Sequence, residues 1–419
     1  MRFPEFQDEW VQKKLGEVVD KVNSGKTPLG GEAVYTKEGI LFIRSQNVNN
    51  DKLELENSVF IPELVNDQMK NSIVQANDIL LNITGASLGR SCVVPNNFKS
   101  GNVNQHVCII RLNKLYSPKF EQPLFSSSKG QTIFTSLQTG SGREGLNFES
   151  IRSIKFFAPI PDEQQKIASF LSLINERITT QNKIIEGLKL SKKILIKKIF
   201  NQQLSFDGRH NNNFPEWEKK KIKELFSFKI TNSFSREQLN HKNGKVKNIH
   251  YGDIHTRFQT LFDIEKEEVP YINPEVNINK INEENYCATG DMIFADASED
   301  LIDVGKSIEI VNLNNQKLLA GLHTILARPI SNTFSIGFCG YLFKSDRIRT
   351  QIQKESQGSK VLSISAVRLS NISFSIPCIE EQIKITNFLS SIDSKIDIEI
   401  RFLQKLEQQK KFLLQNLFV

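Results

Sequence analysis

The sequence predicts an α+β fold: two duplicated mixed α/β domains joined by two long antiparallel coiled-coil helices, with a pseudo-two-fold relating the halves. Three observations predict it. Residues Asp162 to Phe200 return without a gap at Glu380 to Phe418, an offset of 380 − 162 = 218. In the first copy Ile167, Leu171, Ile174, Ile178, Ile185, Leu188, Leu195 and Ile199 fall on steps of four, three or their sum, the seam of a coiled coil. Ile385, Leu389, Ile392, Ile396, Leu403, Leu406, Leu413 and Leu417 repeat those steps, and both seams break at matching polar positions, Gln181 with Glu399 and Lys192 with Lys410.

Residues 1–161 form the first domain in this reading. Gly39 to Ile43, Asp78 to Ile83 and Val107 to Leu112 are compact apolar runs bounded by turn residues and read as strands. Polar loops separate them: Asn23 to Pro28, Arg44 to Asn50, Thr84 to Arg90 and Thr139 to Gly145. A central helix over 162–200 follows Pro159 and Pro161, with Asp162 as N-cap and Gln165 closing a capping box. At ~1.5 Å per residue, its 39 residues span roughly 58 Å. That stripe is too narrow for an ordinary core, so the other copy is its expected partner, packed lengthwise.

Residues 201–208 read as a linker, 209–379 as the second domain and 380–419 as the C-terminal helix. The first half starts again near Phe214. Glu9 and Trp10 return as Glu216 and Trp217, Asp78 as Asp291, His106 as His323, Arg111 as Arg328 and Pro159 as Pro377. The offset drifts from 207 through 213 and 217 to 218, as insertions between matched strands produce. The loops diverge: Arg44 to Asn50 faces His250 to His255, and Thr84 to Arg90 faces Ala297 to Lys306. A shared scaffold with unlike loops fits two related sites reading different targets.

Composition narrows the class. With 419 residues and 39% hydrophobic content the chain fills two cores. No apolar run reaches the ~18 residues of a membrane span, so a soluble, cytoplasmic protein without membrane contact is expected. Five cysteines without a Cys-x-x-Cys pair, and six histidines without ligand spacing, predict reduced thiols and no metal. The net charge of +7 is compatible with nucleic acid without requiring it.

Catalytic motifs are missing. The sequence has no Walker loop, no Gly-x-Ser-x-Gly elbow and no His-Glu-x-x-His. Asn273-Pro274-Glu275 lacks the second proline and the aromatic that an adenine methyltransferase motif needs. Asp162, Glu163 and Lys166 open a helix, where carboxylates offset the helix dipole, and that accounts for them without a nuclease site.

The loops instead carry recognition chemistry. Arg44, Arg90 and Arg143 suit a guanine edge or a phosphate, and Gln46, Asn47 and Asn49 suit adenine in a major groove. Ser141 and Ser359, in glycine-containing loops before the long helices, suit phosphate. Loop position adds Lys26, Thr84 and Ser87 in the first half, and Tyr251, Asp253, His255, Arg257, Lys306 and Lys360 in the second. For any single loop residue, plain solvation is the competing account.

These features resemble the specificity subunit of type I restriction-modification systems over essentially the whole chain. The residues that carry the resemblance are Ser24 to Pro28, Tyr251 to Thr256, Gly290-Asp291 and Asp296 to Asp300. The pair Pro161 to Ile167 and Ile379 to Ile385, at the two helix starts, is the most telling. The resemblance implies two target recognition domains, each reading one half of a bipartite site on double-stranded DNA, while the helix pair sets the unread spacer. It also implies docking of two modification subunits, which bind S-adenosylmethionine and methylate adenine. Two restriction subunits using ATP and Mg complete the assembly, and no cofactor or catalysis belongs to this chain. The seam residues Ile167, Leu171, Ile174, Ile178, Ile185, Leu188, Ile385, Leu389, Ile392, Ile396, Leu403 and Leu406 are expected at the subunit-interface helices. The second half departs from the first, with Thr231 to Arg236 in place of Ser24 to Pro28, which implies two recognition subfamilies. The alternatives are a nuclease or methyltransferase with an unrecognised site, and a coiled-coil structural protein whose DNA binding is only that of its net charge.

Overall fold

The computed structural model describes residues 2–49, 51–138, 145–206 and 214–418. The chain forms two units, Met1–Lys183 with Ile400–Val419, and Ile184–Glu399.

In the first unit the apolar runs become central strands, because a strand covered on both faces is apolar at successive positions. Ile79–Asn82 is buried throughout and pairs antiparallel with Val107–Leu112 on one side and Ser91–Val93 on the other. Val19–Ser24 extends this sheet beside Val107–Leu112. A second four-stranded sheet has the order Val59–Ile61, Ile40–Ile43, Gly101–Val103, Ile73–Val74, with Gly101–Val103 parallel to Ile40–Ile43.

The second unit repeats this plan. Met292–Ala295 lies between Thr324–Pro329 and Ser307–Asn312, with Phe226–Lys229 beyond the first of these and Leu261–Asp263 added beyond the second. Its second sheet again holds one parallel pair, Val246–Ile249 with Lys317–Ala320.

Matched residues make matched bonds. Arg111 grips Asp78 in bidentate fashion at 2.7 and 2.8 Å, and Arg328 grips Asp291 at 2.9 and 2.7 Å. Each aspartate also accepts the backbone N–H three residues before it, Gln75 at 2.7 Å and Ala288 at 2.8 Å.

The long helices run Pro161–Phe200 and Ile379–Leu417. The first begins at Pro161, one residue before the expected cap, because proline suits the first helical position. Asp162 therefore lies inside the first turn, and Gln165 donates to Ser169 Oγ at 3.2 Å instead of closing a capping box. Gln164 does the folding back: its Nε2 donates to the Pro159 carbonyl at 3.0 Å, and its Oε1 accepts Ser117 N–H at 3.1 Å. Gln382 repeats both bonds, to the Pro377 carbonyl at 3.0 Å and from Ser335 N–H at 2.9 Å. Glu163 is fully buried, accepting Arg2 through both oxygens at 2.7 Å and Trp10 Nε1 at 3.3 Å, and Glu381 accepts Trp217 Nε1 at 3.1 Å.

In the first unit the core joins Leu15, Ile79, Ile110 and Phe120 to Ile167, Leu171 and Ile174 from one helix and Leu413, Leu417 and Phe418 from the other. In the second it joins Ile222, Phe294 and Phe338 to Ile199, Ile385 and Leu389. Each unit thus unites the start of one helix with the end of the other, an antiparallel pairing. The seam is buried in globular cores as well as between helices, which the sequence reading did not foresee. Ile178, Leu188, Ile392 and Leu403 are half-buried, and Ile167, Leu171, Ile174, Ile185, Ile385, Leu389, Ile396 and Leu406 are buried. Those twelve side chains serve this chain's own packing. The exposed apolar groups of the same helices are others, such as Leu173, Leu190, Ile398 and Phe412.

Candidate nucleic-acid interface

Strand pairing gathers the candidate loops of the first unit at one end. Ser24 is paired with Cys108, Asn82 with Val107, and Ile43 with Val103, so the segments that follow or precede them leave the sheets together. Gly25 permits the closest approach there, since a Cβ would come 1.6 Å from the Val103 carbonyl oxygen.

Side chains bind these loops into one surface. Thr27 Oγ1 donates to Gln105 Oε1 at 2.6 Å, Gln105 Nε2 lies 3.1 Å from His106 Nε2, and His106 Nδ1 lies 2.6 Å from Thr84 Oγ1. Asn82 Nδ2 donates to the Ser45 carbonyl at 2.8 Å, and Arg90 Nη1 donates to Asn49 Oδ1 at 3.3 Å. The Arg44 guanidinium sits 5.6 Å from the centre of the Tyr35 ring, and its buried Nε has no hydrogen-bond partner among the described residues. A cation held on a ring face beside an unused donor is suited to a base edge or a phosphate.

Lys26, Gln46 and Arg90 are exposed on this surface, and Thr84, Ser87 and Asn49 are half-buried. Asn47 is not available. It is 2% exposed, its Oδ1 accepts Arg44 N–H at 2.9 Å and its Nδ2 donates to the Glu54 carbonyl at 2.9 Å, so it shapes the loop. Ser141 and Arg143 lie outside the described residues. Gly145 pairs with Thr84 at this surface.

The second unit presents the matching end with other side chains. Tyr251 packs edge-on against His255 and His323, ring centres 5.9 and 5.3 Å away. His323 Nδ1 is 3.2 Å from Asp296 Oδ1, at the place where the first unit has His106 beside Thr84. Burial raises the Asp296 pKa against the opposing pull of His323. His250 is buried, which lowers its pKa, with Arg236 adding to the effect. Its Nε2, like His255 Nδ1, is buried with no partner among the described residues.

Here too some candidates turn inward. Asp253 is 3% exposed and sits between Arg236, with two contacts at 3.4 Å, and Arg257 at 3.8 Å. It orients those two guanidiniums, and a carboxylate so enclosed does not reach a base. Lys306 Nζ donates to the His255 carbonyl at 2.5 Å and lies 3.6 Å from Asp303, while His255 Nε2 lies 2.9 Å from the Ala297 carbonyl. Both brace the 251–256 helix. Arg257, Ser359 and Lys360 are exposed, and pairing of Ala297–Ser298 with Leu362–Ser363 carries the last two to this end. Arg236, Asp296 and His323 escaped the candidate set. The match of His106 to His323 between the halves was the signal for one of them.

Among the described residues no group of His, Cys, Asp and Glu could hold a metal ion. No described helix is long and apolar enough to cross a membrane. The surface offers donors and aromatic faces, the chemistry of recognition.

Comparison with known proteins agrees with this. The family model for the type I restriction modification DNA specificity domain matches twice, over residues 7–190 and 215–408. The chain is 29% identical over 360 residues to the type I restriction enzyme MjaVIII specificity subunit of Methanocaldococcus jannaschii, covering 83% of this chain and 80% of that protein. It is 22% identical over 428 residues to that organism's putative MjaX specificity subunit, covering 99% and 93%. The fold resembles the S subunit of a type I restriction-modification system from M. genitalium, with TM-score 0.54, 14% identity and coverage of 100% and 99%. It also resembles a chain solved in work on complex assembly and conformational transition of the type I system, with TM-score 0.59, 15% identity and 98% of each chain covered.

Proposed function

The chain belongs to the family of type I restriction-modification DNA specificity domains, and on that premise we infer that it is the non-catalytic subunit giving such a complex its DNA sequence. One observation carries the reading furthest: two matched scaffolds present the same end with different side chains, Arg44, Asn49 and Arg90 in one, Tyr251, Arg236 and Arg257 in the other. Each unit reads one half of a bipartite site, and unlike side chains on like frames read unlike bases. Residues 1–161 and 209–379 are the two target recognition domains, 162–200 and 380–419 the conserved helices, and 201–208 a linker. The two helices set the unread spacer, as the separation of two readers sets half-site spacing.

Two modification subunits supply S-adenosylmethionine and methylate adenine, and two restriction subunits supply ATP- and Mg-dependent cleavage, all in the cytoplasm. Single-molecule methylation mapping tests this in cells with the cognate modification subunit, with and without this chain. A bipartite adenine-methylated site that disappears with the chain is the expected result. An unchanged methylome, with the modification subunit present and active, would remove the reading.

A further inference from the structure

The hairpin Val48–Asn49 and Lys52–Leu53 continues the Arg44 loop, and its tip is Asp51. Asp51 has φ 68°, the left-handed conformation that a two-residue hairpin turn calls for and that aspartate tolerates. Its carboxylate accepts Lys410 Nζ at 2.6 Å, Gln122 Nε2 at 2.6 Å and Ser126 Oγ, and its N–H donates to the Ser91 carbonyl at 3.2 Å. Gln122, 4% exposed, also donates to Ser91 Oγ at 3.1 Å. Burial acts to raise the Asp51 pKa, and the Lys410 charge with these hydrogen bonds overcomes it, leaving a carboxylate below its ordinary value.

Lys410 lies near the end of the C-terminal helix, yet its ammonium is one bond from the tip of a loop in the first recognition domain. From that tip Asn49 accepts Arg90, and Asn47 holds the Arg44 backbone and Glu54. A cleft of ≈ 700 Å³ flanks the tip, between Arg90, Ser128 and Asn182, so packing does not hold it from that side. The repeat provides a contrast. Lys192, equivalent to Lys410 by the offset 410 − 192 = 218, contacts Asp393 on a long helix and lies 5.0 Å from the Tyr341 ring, in the body of its unit. Equivalent lysines have different tasks, and of the two it is that of the first unit that contacts a candidate recognition loop.

We propose that Lys410 is a positioning residue for base recognition by the first unit, holding the Asp51 hairpin so that Arg44 and Arg90 meet the bases in fixed register. This rests on the reading of that unit as a DNA reader. The test is methylation mapping of the assembled complex with Lys410→Met, Lys410→Arg and Lys411→Met, alongside Arg90→Ala to mark the half-site that the first unit reads. Lys410→Met is expected to lower base preference in that half-site by about tenfold, the worth of one good base contact. The other half-site and the spacer stay as they are. Lys410→Arg, which keeps charge and donors, restores preference, and Lys411→Met, with the same charge loss, leaves it unchanged. If Lys410→Met does not assemble, Lys410→Gln carries the same expectation. Unaltered preference in an assembled Lys410 variant overturns the proposal, as does slower methylation with both half-sites intact, the result of a purely structural role. A natural chain that confers no methylated site at all overturns the reading of the unit, a distinct outcome because it precedes any variant.

Discussion

Glu121 is fully enclosed in the Pro118–Ser126 helix, and neither carboxyl oxygen has a hydrogen-bond partner among the described residues. Burial pushes its pKa up to about 8. The equivalent position, 121 + 218 = 339, is Cys339, buried and apolar, so the fold has no need of a carboxyl on the helix there. The second unit places its buried carboxyl across the junction instead. Glu309, opposite Met292 as Val93 is opposite Ile79, accepts the N–H groups of Gly337 at 2.5 Å and Gly340 at 2.6 Å, and burial raises its pKa to about 7 despite them. For Glu121 the folded state keeps its proton up to about pH 8 while the unfolded chain releases it near 4.5. The stability present below the unfolded pKa is therefore lost as pH rises from 4.5 through 8, on the order of a few kcal/mol. Glu121→Gln should flatten this decline and stabilise the first unit above pH 7, checked by denaturant titration at pH 5, 7 and 9. Parallel profiles for the two proteins would refute it. Nothing in the sequence marked this residue, because a glutamate in a helical stretch ordinarily faces water.

At the scale of elements, periodicity was legible and local bonding was not. The apolar runs at 39–43, 78–83 and 107–112 became strands at Ile40–Ile43, Ile79–Asn82 and Val107–Leu112, because burial on both faces leaves a mark in composition. The sequence puts the helix start within one residue of Pro161, yet Gln165 closes no capping box, and it is Gln164 that folds back, onto the Pro159 carbonyl. The repeat separates the two adjacent glutamines: by the offset of 218 Gln164 matches Gln382, whereas Gln165 matches Ile383, so only the one that turns inward recurs. The inward turn of Asn47 and Asp253 has no such mark in the sequence, since short polar side chains serve loop closure and base contact with the same groups. Glu163 shows what the helix start rests on: a buried carboxylate held by Arg2 through two bonds and by Trp10. Glu163→Ala removes the acceptor for both, and the exposed Arg2 turns to water. The expected cost is about 1–2 kcal/mol, that of hydrogen bonds to a charged group, since Arg2 is left in contact with water. Thermal unfolding followed by Trp10 fluorescence reads it, and a loss under ~0.5 kcal/mol would show that the bidentate pair does not anchor the helix.

For the whole molecule, the duplication was legible because matched residues recur at a drifting offset, whereas the sharing of helix ends was not, since an internal repeat states equivalence and not adjacency. The first unit is discontinuous in sequence: its core requires Leu413, Leu414, Leu417 and Phe418, with the Phe418 ring centre 5.5 Å from Phe120. The second unit is one continuous segment, 184–399. Burying each of those four side chains is worth roughly 1.5–3 kcal/mol, so together they approach the ~5–15 kcal/mol that holds an entire domain folded. A chain ending at residue 399 should therefore lose the first unit and keep the second. The two tryptophans separate the events, Trp10 reporting on the first unit and Trp217 on the second, so Trp217→Phe and Trp10→Phe versions of the shortened chain each follow one unit. Expected is a Trp10 signal already unfolded at 25 °C beside a cooperative Trp217 transition, with a synthetic 400–419 peptide restoring the Trp10 transition in proportion to its concentration. Coincident transitions for the two tryptophans, unaffected by the peptide, would mean that the last helix turns are dispensable to the first unit's core, and that each domain closes its core with its own helix alone.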